Sequence, residues 1–251
     1  MSLPPSAPPP DETSPFGYAD IATAEKAGRV QGIFRSVAGR YDLMNDLMSG
    51  GIHRLWKRRL VERLAPRPGW RIADVAGGTG DVAARILARE PAAEVLVIDL
   101  TPEMVAQGRE RLPQANIRWL AGDAEALPLP DRSVNAYTIA FGLRNVARPA
   151  RALAEARRVL RPGGRFLCLE FSQVALPFLD RLYDAYSFAV LPRLGQLVAG
   201  DAASYRYLAE SIRRFPAQPA LARMLAEAGL ARPRWENLSG GIAAIHSAWR
   251  I

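Results

Sequence analysis

A run of glycines marks the stretch of this sequence most able to do chemistry. Glycines at positions 77, 78 and 80 separate an apolar run at residues 70–76 from a helical pattern that begins at Val82. A chain that reverses from strand to helix around a ligand needs φ > 0 and leaves no room for a Cβ, and glycine meets both demands. The pattern therefore predicts a ligand-binding turn at the end of a strand.

Asp99 lies at the right distance to serve the same ligand. It closes the next apolar run, nineteen residues after Gly80. A βαβ unit places there a carboxylate that accepts hydrogen bonds from ribose hydroxyls. The spacing predicts a ligand with an adenosine-like ribose, held by Asp99.

The charge around the turn separates two kinds of ligand. Residues 78–83 also fit the loose dinucleotide fingerprint G-x-G-x-x-G/A, but a pyrophosphate is repelled by nearby anions. Four carboxylates lie beside the turn or at strand ends: Asp74, Asp81, Asp99 and Asp123. If they converge, they fit a ligand with a sulfonium and an ammonium, as in S-adenosylmethionine. The alternative is that some of them, such as Asp81, only cap helices or are solvated strand ends.

Composition narrows the class of protein. The chain has 251 residues, 49% of them hydrophobic, which suits one α/β domain with additions. Its formal charge is +8, but the basic residues are scattered and no nucleic-acid-binding pattern accompanies them, so we expect no nucleic-acid partner. Only Lys26 and Lys57 are lysines, so 31 of the 33 basic residues are arginine.

Cysteine, histidine and hydropathy set further limits. The single cysteine, Cys168, excludes a disulfide within the chain and is typical of a reducing cytoplasm. His53 and His246 are the only histidines, and no group has metal-ligand spacing, so we expect no metal. No run of about 18 apolar residues could span a membrane, and the N-terminus has no signal-peptide pattern. Contact with a membrane surface stays open, because it needs only diffuse positive charge and an apolar contact.

Alternating strand and helix patterns position these residues. Strand candidates lie at residues 70–76, 94–100, 117–122, 134–141 and 165–171, with helical patterns such as 101–111 and 149–160 between them. This alternation predicts a doubly wound, Rossmann-like, mostly parallel sheet. Two more strand candidates, residues 234–238 and 242–250, flank a Ser-Gly-Gly turn and predict a terminal hairpin. The predicted α/β sheet therefore has seven strands.

The remaining segments suggest a single domain with a tail. Residues 1–20 include a proline-rich stretch and are predicted to be a disordered tail. Residues 21–251 are interpreted as one domain. Within it we expect an N-terminal helical lid at 21–65, a cofactor-binding core at 66–171, a helical substrate-covering insertion at 172–230 and the hairpin at 231–251.

This architecture resembles the class I S-adenosylmethionine-dependent methyltransferases, and five segments resemble one family among them. The segments are YDLMNDLMS (41–49), GIHRLWK (51–57), DAEALP (123–128), FGLRNV (141–146) and DAASYRYLAESI (201–212). Together they are similar to the ubiquinone/menaquinone-biosynthesis C-methyltransferase family, from about residue 34 onward. The chain departs from the family pattern at Ala140, where related sequences commonly have serine, so backbone or water would have to replace any contact that the serine hydroxyl makes with the cofactor.

The resemblance implies a reaction and its partners. A methyl group would move from S-adenosylmethionine to a ring carbon of a polyprenylated benzoquinol or naphthoquinol, without a metal. The reduced ring is expected, because its phenolate form puts nucleophilic density on the ortho carbon. The aromatic and leucine-rich stretch at 178–215 would receive the prenyl tail. The protein would be cytoplasmic, in contact with the inner face of the membrane, as a homodimer or in a quinone-biosynthesis complex.

The resemblance also assigns the residues that hold the cofactor. Asp99, followed by Leu100, would bind the ribose hydroxyls, and Asp123 would receive the adenine amino group beside the backbone N–H of Ala124. The other cofactor-binding candidates lie at the turn or at a neighbouring strand end: Gly78 and Thr79 against the methionine portion, Asp74 and Ala140. For Asp74, binding the ligand ammonium and fixing the turn backbone are equal alternatives.

Two segments are the candidates for catalysis. Tyr41 and Asp42 would fold over the cofactor as a lid, or else form a surface turn. Arg144 would stabilise the phenolate oxygen and orient a water that takes the ring proton, and Asn145 would hydrogen-bond a ring oxygen. The alternative for Arg144 is an ion pair, for which the sequence offers Asp42, Asp46 and Glu170 as partners.

Three other functions compete with this interpretation. A class I methyltransferase of another small molecule shares the fold, but the segments at 141–146 and 201–212 argue against it. A nicotinamide-dependent oxidoreductase is disfavoured by the acidic crevice and the terminal hairpin. A non-catalytic subunit of a quinone-biosynthesis assembly would be expected to lose Asp99 or the glycine turn, and both are intact.

Overall fold

The computed structural model describes residues 12–37, 46, 49–174 and 202–251. A small antiparallel hairpin comes first, with β1 at Thr13–Phe16 and β2 at Ala19–Ala22. A seven-stranded sheet follows. Its strands are β3 (Arg71–Val75), β4 (Glu94–Asp99), β5 (Ile117–Ala121), β6 (Val134–Ala140), β7 (Leu160–Phe171), β8 (Ala231–Leu238) and β9 (Ala243–Trp249).

Helices precede the sheet, connect its strands and lead into the last hairpin. In chain order they are α1 (Thr23–Val37), α2 (His53–Leu64), α3 (Asp81–Arg89), α4 (Pro102–Arg111), α5 (Pro149–Val159), α6 (Ala202–Arg214) and α7 (Gln218–Glu227). A short 3-10 turn at Leu143–Asn145 follows β6.

The sheet has the predicted topology. Its strand order is β5-β4-β3-β6-β7-β9-β8, the first five strands are parallel, and β9 runs antiparallel to both neighbours. The prediction of a doubly wound sheet that ends in an antiparallel hairpin is therefore confirmed. Because the connections leave in opposite directions from β3, the carboxyl ends of β3 and β6 border the crevice where such sheets bind ligands.

Apolar layers cover both faces of the sheet. On one face Leu60 of α2 and Ile86 of α3 pack with Ile72, and on the other Leu153 of α5 and Leu221 of α7 belong to a second cluster. The central strands are buried on both faces, which is why they appear in the sequence as continuous apolar runs rather than as alternating ones.

The structure corrects the prediction of a disordered tail over residues 1–20. Residues 1–11 lie outside the described chain, but β1 and β2 pair in register and dock on the domain. Ser14 hydrogen-bonds to Thr23 Oγ1 (2.8 Å) and to the Ala147 carbonyl (2.9 Å), and the Phe16 ring packs on Tyr207 at 4.5 Å. Ala147 and Tyr207 are distant in sequence from this hairpin, so the local composition could not reveal its docking.

Candidate functional site

A cleft of about 750 Å³, including its open mouth, lies at the carboxyl ends of β3 to β6. One wall consists of loops that follow the strands, and α1 supplies the opposite wall with Ala27, Val30 and Gln31. The Gln31 amide donates to the Leu100 carbonyl at 3.1 Å, so α1 is tied to the loop after β4. A lid over the crevice was predicted from this part of the chain, and its first helix lies there.

Two strand ends meet closely at the floor of the cleft. Ala76 after β3 has φ 51° and Phe141 after β6 has φ 57°, a left-handed conformation that is unfavourable for residues other than glycine. A Cβ on Gly142 would lie 2.5 Å from the Ala76 Cβ, so only glycine fits there. In the turn after β3, Gly80 is the N-cap of α3 and has φ 82°, the positive φ that the sequence predicts for glycine in this turn.

Asp99 is fixed by two backbone donors. Its Oδ2 accepts the Gly78 N–H at 2.8 Å, and its Oδ1 accepts the Thr101 N–H at 2.9 Å. Burial raises the pKa of this carboxyl, while the two hydrogen bonds act in the opposite direction. Each carboxylate oxygen has a second lone pair, so Asp99 can still accept hydrogen bonds from a ligand in the cleft.

The loop after β5 forms the far end of the cleft. Asp123 and Ala124 line it, as does Leu100 after β4. Asp123 Oδ1 accepts the Glu125 N–H at 2.9 Å. The buried Glu125 carboxylate in turn accepts the Arg148 backbone N–H (2.8 Å) and Nε (2.7 Å), which ties this loop to the segment after β6. Sequence analysis did not single out Glu125.

A second, smaller cavity adjoins the cleft at Ala76, which lines both. It measures about 340 Å³ including its open mouth, and its walls include Asp74, Thr79, Asp81, Ala140 and Lys57 of α2. The structure therefore divides the predicted cofactor residues between two neighbouring spaces that share Ala76 in their walls. Gly78, Leu100, Asp99, Asp123 and Ala124 line the cleft, and Asp74, Thr79 and Ala140 line the second cavity.

Asp74 is buried with one oxygen unpaired. Its Oδ1 accepts the Thr138 hydroxyl at 2.8 Å, and Oδ2 has no hydrogen-bond partner in the described chain. Burial raises the pKa of this carboxyl to about 7. The alternative role of Asp74 is to fix the backbone of the turn. Among the described residues, its side chain makes no hydrogen bond to that backbone.

Asp81 is neutralised by two cations. Lys57 Nζ lies 2.9 Å from its Oδ2, and Arg85 Nε lies 3.1 Å from its Oδ1. Burial alone would raise the pKa of Asp81, but the two cations hold it below its usual value. Asp81 lines the second cavity together with Asp74, but Lys57 and Arg85 compensate its charge there. Asp81 lies at the first turn of α3, beside Lys57 of α2 and Arg85 of α3, so its ion pairs link the two helices.

Arg144 forms a buried ion pair with Glu170, one of the three partners that the sequence offers for it. Its Nη1 lies 2.6 Å from Glu170 Oε1 and donates to the Phe141 carbonyl at 2.6 Å, with the two charged side chains 3% and 1% exposed. The guanidinium also lies 5.5 Å from the centre of the Phe171 ring. Arg144 does not line the cleft, whereas its neighbour Asn145 does.

Asn145 is held from both sides of its amide. Oδ1 accepts the Tyr207 hydroxyl at 3.1 Å, and Nδ2 donates to the Phe141 carbonyl at 3.3 Å. Burial raises the pKa of Tyr207 to about 12, so its hydroxyl stays a donor. Tyr207 belongs to α6 and packs on Phe16 of β1, so chain segments far from β6 orient this amide.

The remaining candidates either lie outside the described residues or are histidines that make hydrogen bonds within the protein. Tyr41, Asp42 and the part of the predicted tail groove at 178–201 lie outside the described residues. His53 is buried and hydrogen-bonds to Asp46 at 2.9 Å, and His246 bonds to the Gln218 carbonyl at 3.0 Å. Within the described ranges, no group of three or more potential ligands could hold a metal ion. None of the helices described there has the length and apolarity to span a membrane.

Sequence reasoning missed several residues around the site, and composition carried one available signal. Both lysines of this arginine-rich chain are buried beside the two spaces. Lys57 borders the second cavity, and Lys26 of α1 donates to the Val146 carbonyl at 2.8 Å, behind the cleft wall. Glu125 and Tyr207 gave no comparable signal, because their partners are distant in sequence.

The chain matches known sequences over nearly its whole length. The family model described as the ubiE/COQ5 methyltransferase family matches residues 22–250. The ubiquinone/menaquinone biosynthesis C-methyltransferase UbiE of Methylobacterium nodulans is 61% identical over 249 residues, covering 96% of this chain and 98% of that protein. The protein of the same name from Paracoccus denitrificans is 56% identical over 246 residues, with the same coverage of both chains.

Solved structures agree on the fold. A crystal structure of an S-adenosylmethionine-dependent methyltransferase from Aquifex aeolicus is similar to this chain with a TM-score of 0.60. The sequence identity is 18%, and the match covers 83% of this chain and 97% of that one. At this identity the likeness shows the shared Rossmann-like fold alone.

Proposed function

Because the chain belongs to the ubiE/COQ5 methyltransferase family, we propose that it transfers the methyl group of S-adenosylmethionine to a ring carbon of a polyprenylated benzoquinol or naphthoquinol. The observation that carries this proposal is the carboxylate of Asp99, held by two backbone N–H groups at the floor of the cleft. Asp123 lines the same cleft, and Asp74, with an oxygen that has no hydrogen-bond partner in the described chain, lines the neighbouring cavity. Their charge fits a cationic donor and disfavours a pyrophosphate.

The residues present can hold each part of the donor. Asp99 accepts the ribose hydroxyls, and Asp123 accepts the adenine amino group beside the Ala124 N–H. Leu100 packs at the same end of the cleft. Gly78 and Thr79 contact the methionine portion, and the free oxygen of Asp74 accepts its ammonium. Ala140 offers only a methyl group to the second cavity, so any polar contact at that position is made by backbone or water.

The sulfonium supplies an electrophilic methyl, and the protein's task is to align an electron-rich ring with it. Such alignment is worth up to about 7–11 kcal/mol in well-oriented systems. Asn145 lines the cleft with its amide fixed by Tyr207 and Phe141, which favours a hydrogen bond to a ring oxygen. The ring is bound in its reduced form, because the oxidised quinone is a poor nucleophile.

For Arg144 the contacts favour a positioning role over a catalytic one. A guanidinium already paired with a buried carboxylate at 2.6 Å has little charge left to stabilise a phenolate. The predicted catalytic role requires the guanidinium to leave Glu170 when the acceptor binds. In our proposal Arg144 holds the loop that presents Asn145, and Tyr41 and Asp42 cover the donor.

A basic and apolar patch at the start of α2 supports contact with a membrane surface. Ile52 and Leu55 are large apolar residues that stay exposed, Leu55 by 53%, and the exposed Arg54 lies between them in sequence. Apolar side chains among arginines fit the interface of an anionic bilayer. The polyprenyl tail of the substrate would require the protein to work at such a surface, on the cytoplasmic side. Flotation with anionic vesicles tests this contact, and Leu55→Asp should abolish it.

A methyl-transfer assay tests the function itself. Labelled S-adenosylmethionine is supplied with chemically reduced or oxidised prenylated quinones, beside an Asp99→Ala control. We expect label only in the reduced ring and none in the variant. Donor binding without labelling of either quinol would overturn the acceptor assignment. Light scattering on the same preparation tests the proposed homodimer or larger quinone-biosynthesis assembly.

A further inference from the structure

Lys57 is an ammonium buried where the function proposed above gives it no role. It lies on α2, and its side chain is only 6% exposed, while Arg58, the next residue, is 67% exposed. Burying a charge costs free energy unless partners compensate it. The partners of Lys57 therefore indicate what its site is built to hold.

The pairing of Lys57 is incomplete. An ammonium has three N–H donors, and within the described part of the chain Lys57 donates one hydrogen bond, to Asp81 Oδ2 at 2.9 Å. Asp81 is shared with Arg85 at 3.1 Å, so two cations surround one carboxylate. This group has one positive charge in excess and donors still unused.

The opposite charge is incomplete in the same cavity. Asp74 lines it with an unpaired Oδ2, and the charge of Lys57 acts on Asp74 as a stabilising neighbour. The cavity thus offers a cation donor and an anion acceptor to one bound molecule. A zwitterion with an ammonium and a carboxylate fits both. In S-adenosylmethionine only the amino-acid portion has this character, and it would reach the cavity from the cleft past Ala76, which lines both spaces.

The choice of lysine is itself informative. The chain uses arginine at 31 of its 33 basic positions, and lysine only at positions 26 and 57, both buried. Arginine presents a broad planar fork, whereas lysine presents a compact point charge that can serve two acceptors at once. A compact cation suits a small cavity whose wall also includes Asp81.

We propose that Lys57 binds the α-carboxylate of S-adenosylmethionine, opposite the ammonium site of Asp74. This inference rests on the proposed function, since it assumes that the donor occupies the cleft. In this arrangement Asp81 and Arg85 hold the Lys57 side chain in place, and Lys57 is a binding residue of the donor.

Ligands that differ only in the amino-acid portion test the proposal. We would measure affinity by calorimetry for three of them: S-adenosylhomocysteine, its analogue with a 3-aminopropyl group, which lacks only the carboxylate, and 5′-methylthioadenosine, which lacks both charges. The variant is Lys57→Met, and the matched control is Arg58→Met on the exposed face of the same helix. Arg85 remains beside Asp81 in the variant, so no bare carboxylate is created.

We expect Lys57→Met to lower the affinity for S-adenosylhomocysteine at least tenfold. Its affinity for the two ligands without a carboxylate should change less than twofold. Arg58→Met should change none of them. Equal weakening of all three ligands would overturn the proposal and make Lys57 a structural residue. Unchanged binding of S-adenosylhomocysteine would overturn it as well.

The wild-type protein provides a readout that does not depend on a variant folding. It should bind S-adenosylhomocysteine at least tenfold more tightly than the 3-aminopropyl analogue. If wild type binds both equally, Lys57 does not contact the carboxylate, while the proposed function stands. If it binds none of the three ligands, the proposed function fails together with this inference.

Discussion

The proposed donor half of the site and the proposed acceptor half are built from chain segments at very different sequence separations. The donor half is formed by Asp74, Asp99 and Asp123 with the glycine turn, all within fifty residues at the ends of three neighbouring strands. The acceptor half centres on Asn145, whose amide is oriented by Tyr207, 62 residues away. Tyr207 is in turn packed on Phe16 at the start of the chain.

The two halves also differ in what holds their polar groups. Backbone N–H groups of adjacent loops fix Asp99, whereas buried side-chain pairs such as Arg144–Glu170 fix the acceptor loop. The donor half therefore depends on local geometry, and the acceptor half depends on the docking of β1 and α6. Changes in the acceptor half should alter stability or turnover and leave donor affinity intact.

The largest effect is expected for Asp99→Ala. The variant loses hydrogen bonds from both ribose hydroxyls to a charged group, each worth about 1.5–3 kcal/mol, so donor affinity should fall at least about 100-fold. Calorimetric titration with S-adenosylhomocysteine measures this. Asp99→Asn serves as the isosteric control and should retain part of the affinity. Unchanged binding in Asp99→Ala would remove Asp99 from the donor half.

Glu170→Gln should have a large effect of a different kind. It leaves the buried charge of Arg144 without its partner, a loss of about 3–5 kcal/mol in the free energy of unfolding. Donor affinity should stay within twofold, which urea unfolding and calorimetry together establish.

The double variant Arg144→Met, Glu170→Met controls for the charge. It should recover much of the lost stability, because neither charge remains buried alone. If Glu170→Gln lowers the free energy of donor binding as strongly as it lowers the free energy of unfolding, the two halves of the site are not independent.

Asp74 should make stability depend on pH. Its pKa is about 7 when folded, against about 3.9 in an unfolded chain, so the folded state binds more protons between these values. The free energy of unfolding should therefore decrease as pH rises from 4 to 8, by up to about 4 kcal/mol relative to Asp74→Asn, which does not titrate there. Urea unfolding of both proteins across this range measures the difference. A constant difference would mean that Asp74 is already ionised at pH 4.

Tyr207→Phe should have the smallest effect, and it tests whether Tyr207 acts through the Asn145 amide. It removes one hydrogen bond from Asn145, worth about 0.5–1.5 kcal/mol, so turnover should fall roughly two- to tenfold with donor affinity unchanged. Adding Tyr207→Phe to Asn145→Ala should cause no further loss, because the amide it orients is gone. A further loss in the double variant would give Tyr207 a role independent of Asn145.

Much of the fold could be predicted from the sequence because the central strands are buried on both faces. Such strands appear as apolar runs closed by glycine or aspartate, and β4 ends at Asp99, one residue before the predicted end. Strand β7 was harder to bound. It begins at Leu160 rather than 165, since its first residues surround Gly163 and Gly164 and lack an apolar pattern.

The sequence by itself determined the sheet, the glycine turn and the position of Asp99 at the cleft, because these depend on contacts between neighbouring strands and loops. Only the tertiary structure decided how charges are paired. It placed Arg144 against Glu170 and Asp81 between Lys57 and Arg85. Among the described residues, one oxygen of Asp74 has no hydrogen-bond partner. Hydropathy and spacing record which residues are buried along the chain, whereas an ion pair depends on where separate elements meet in space.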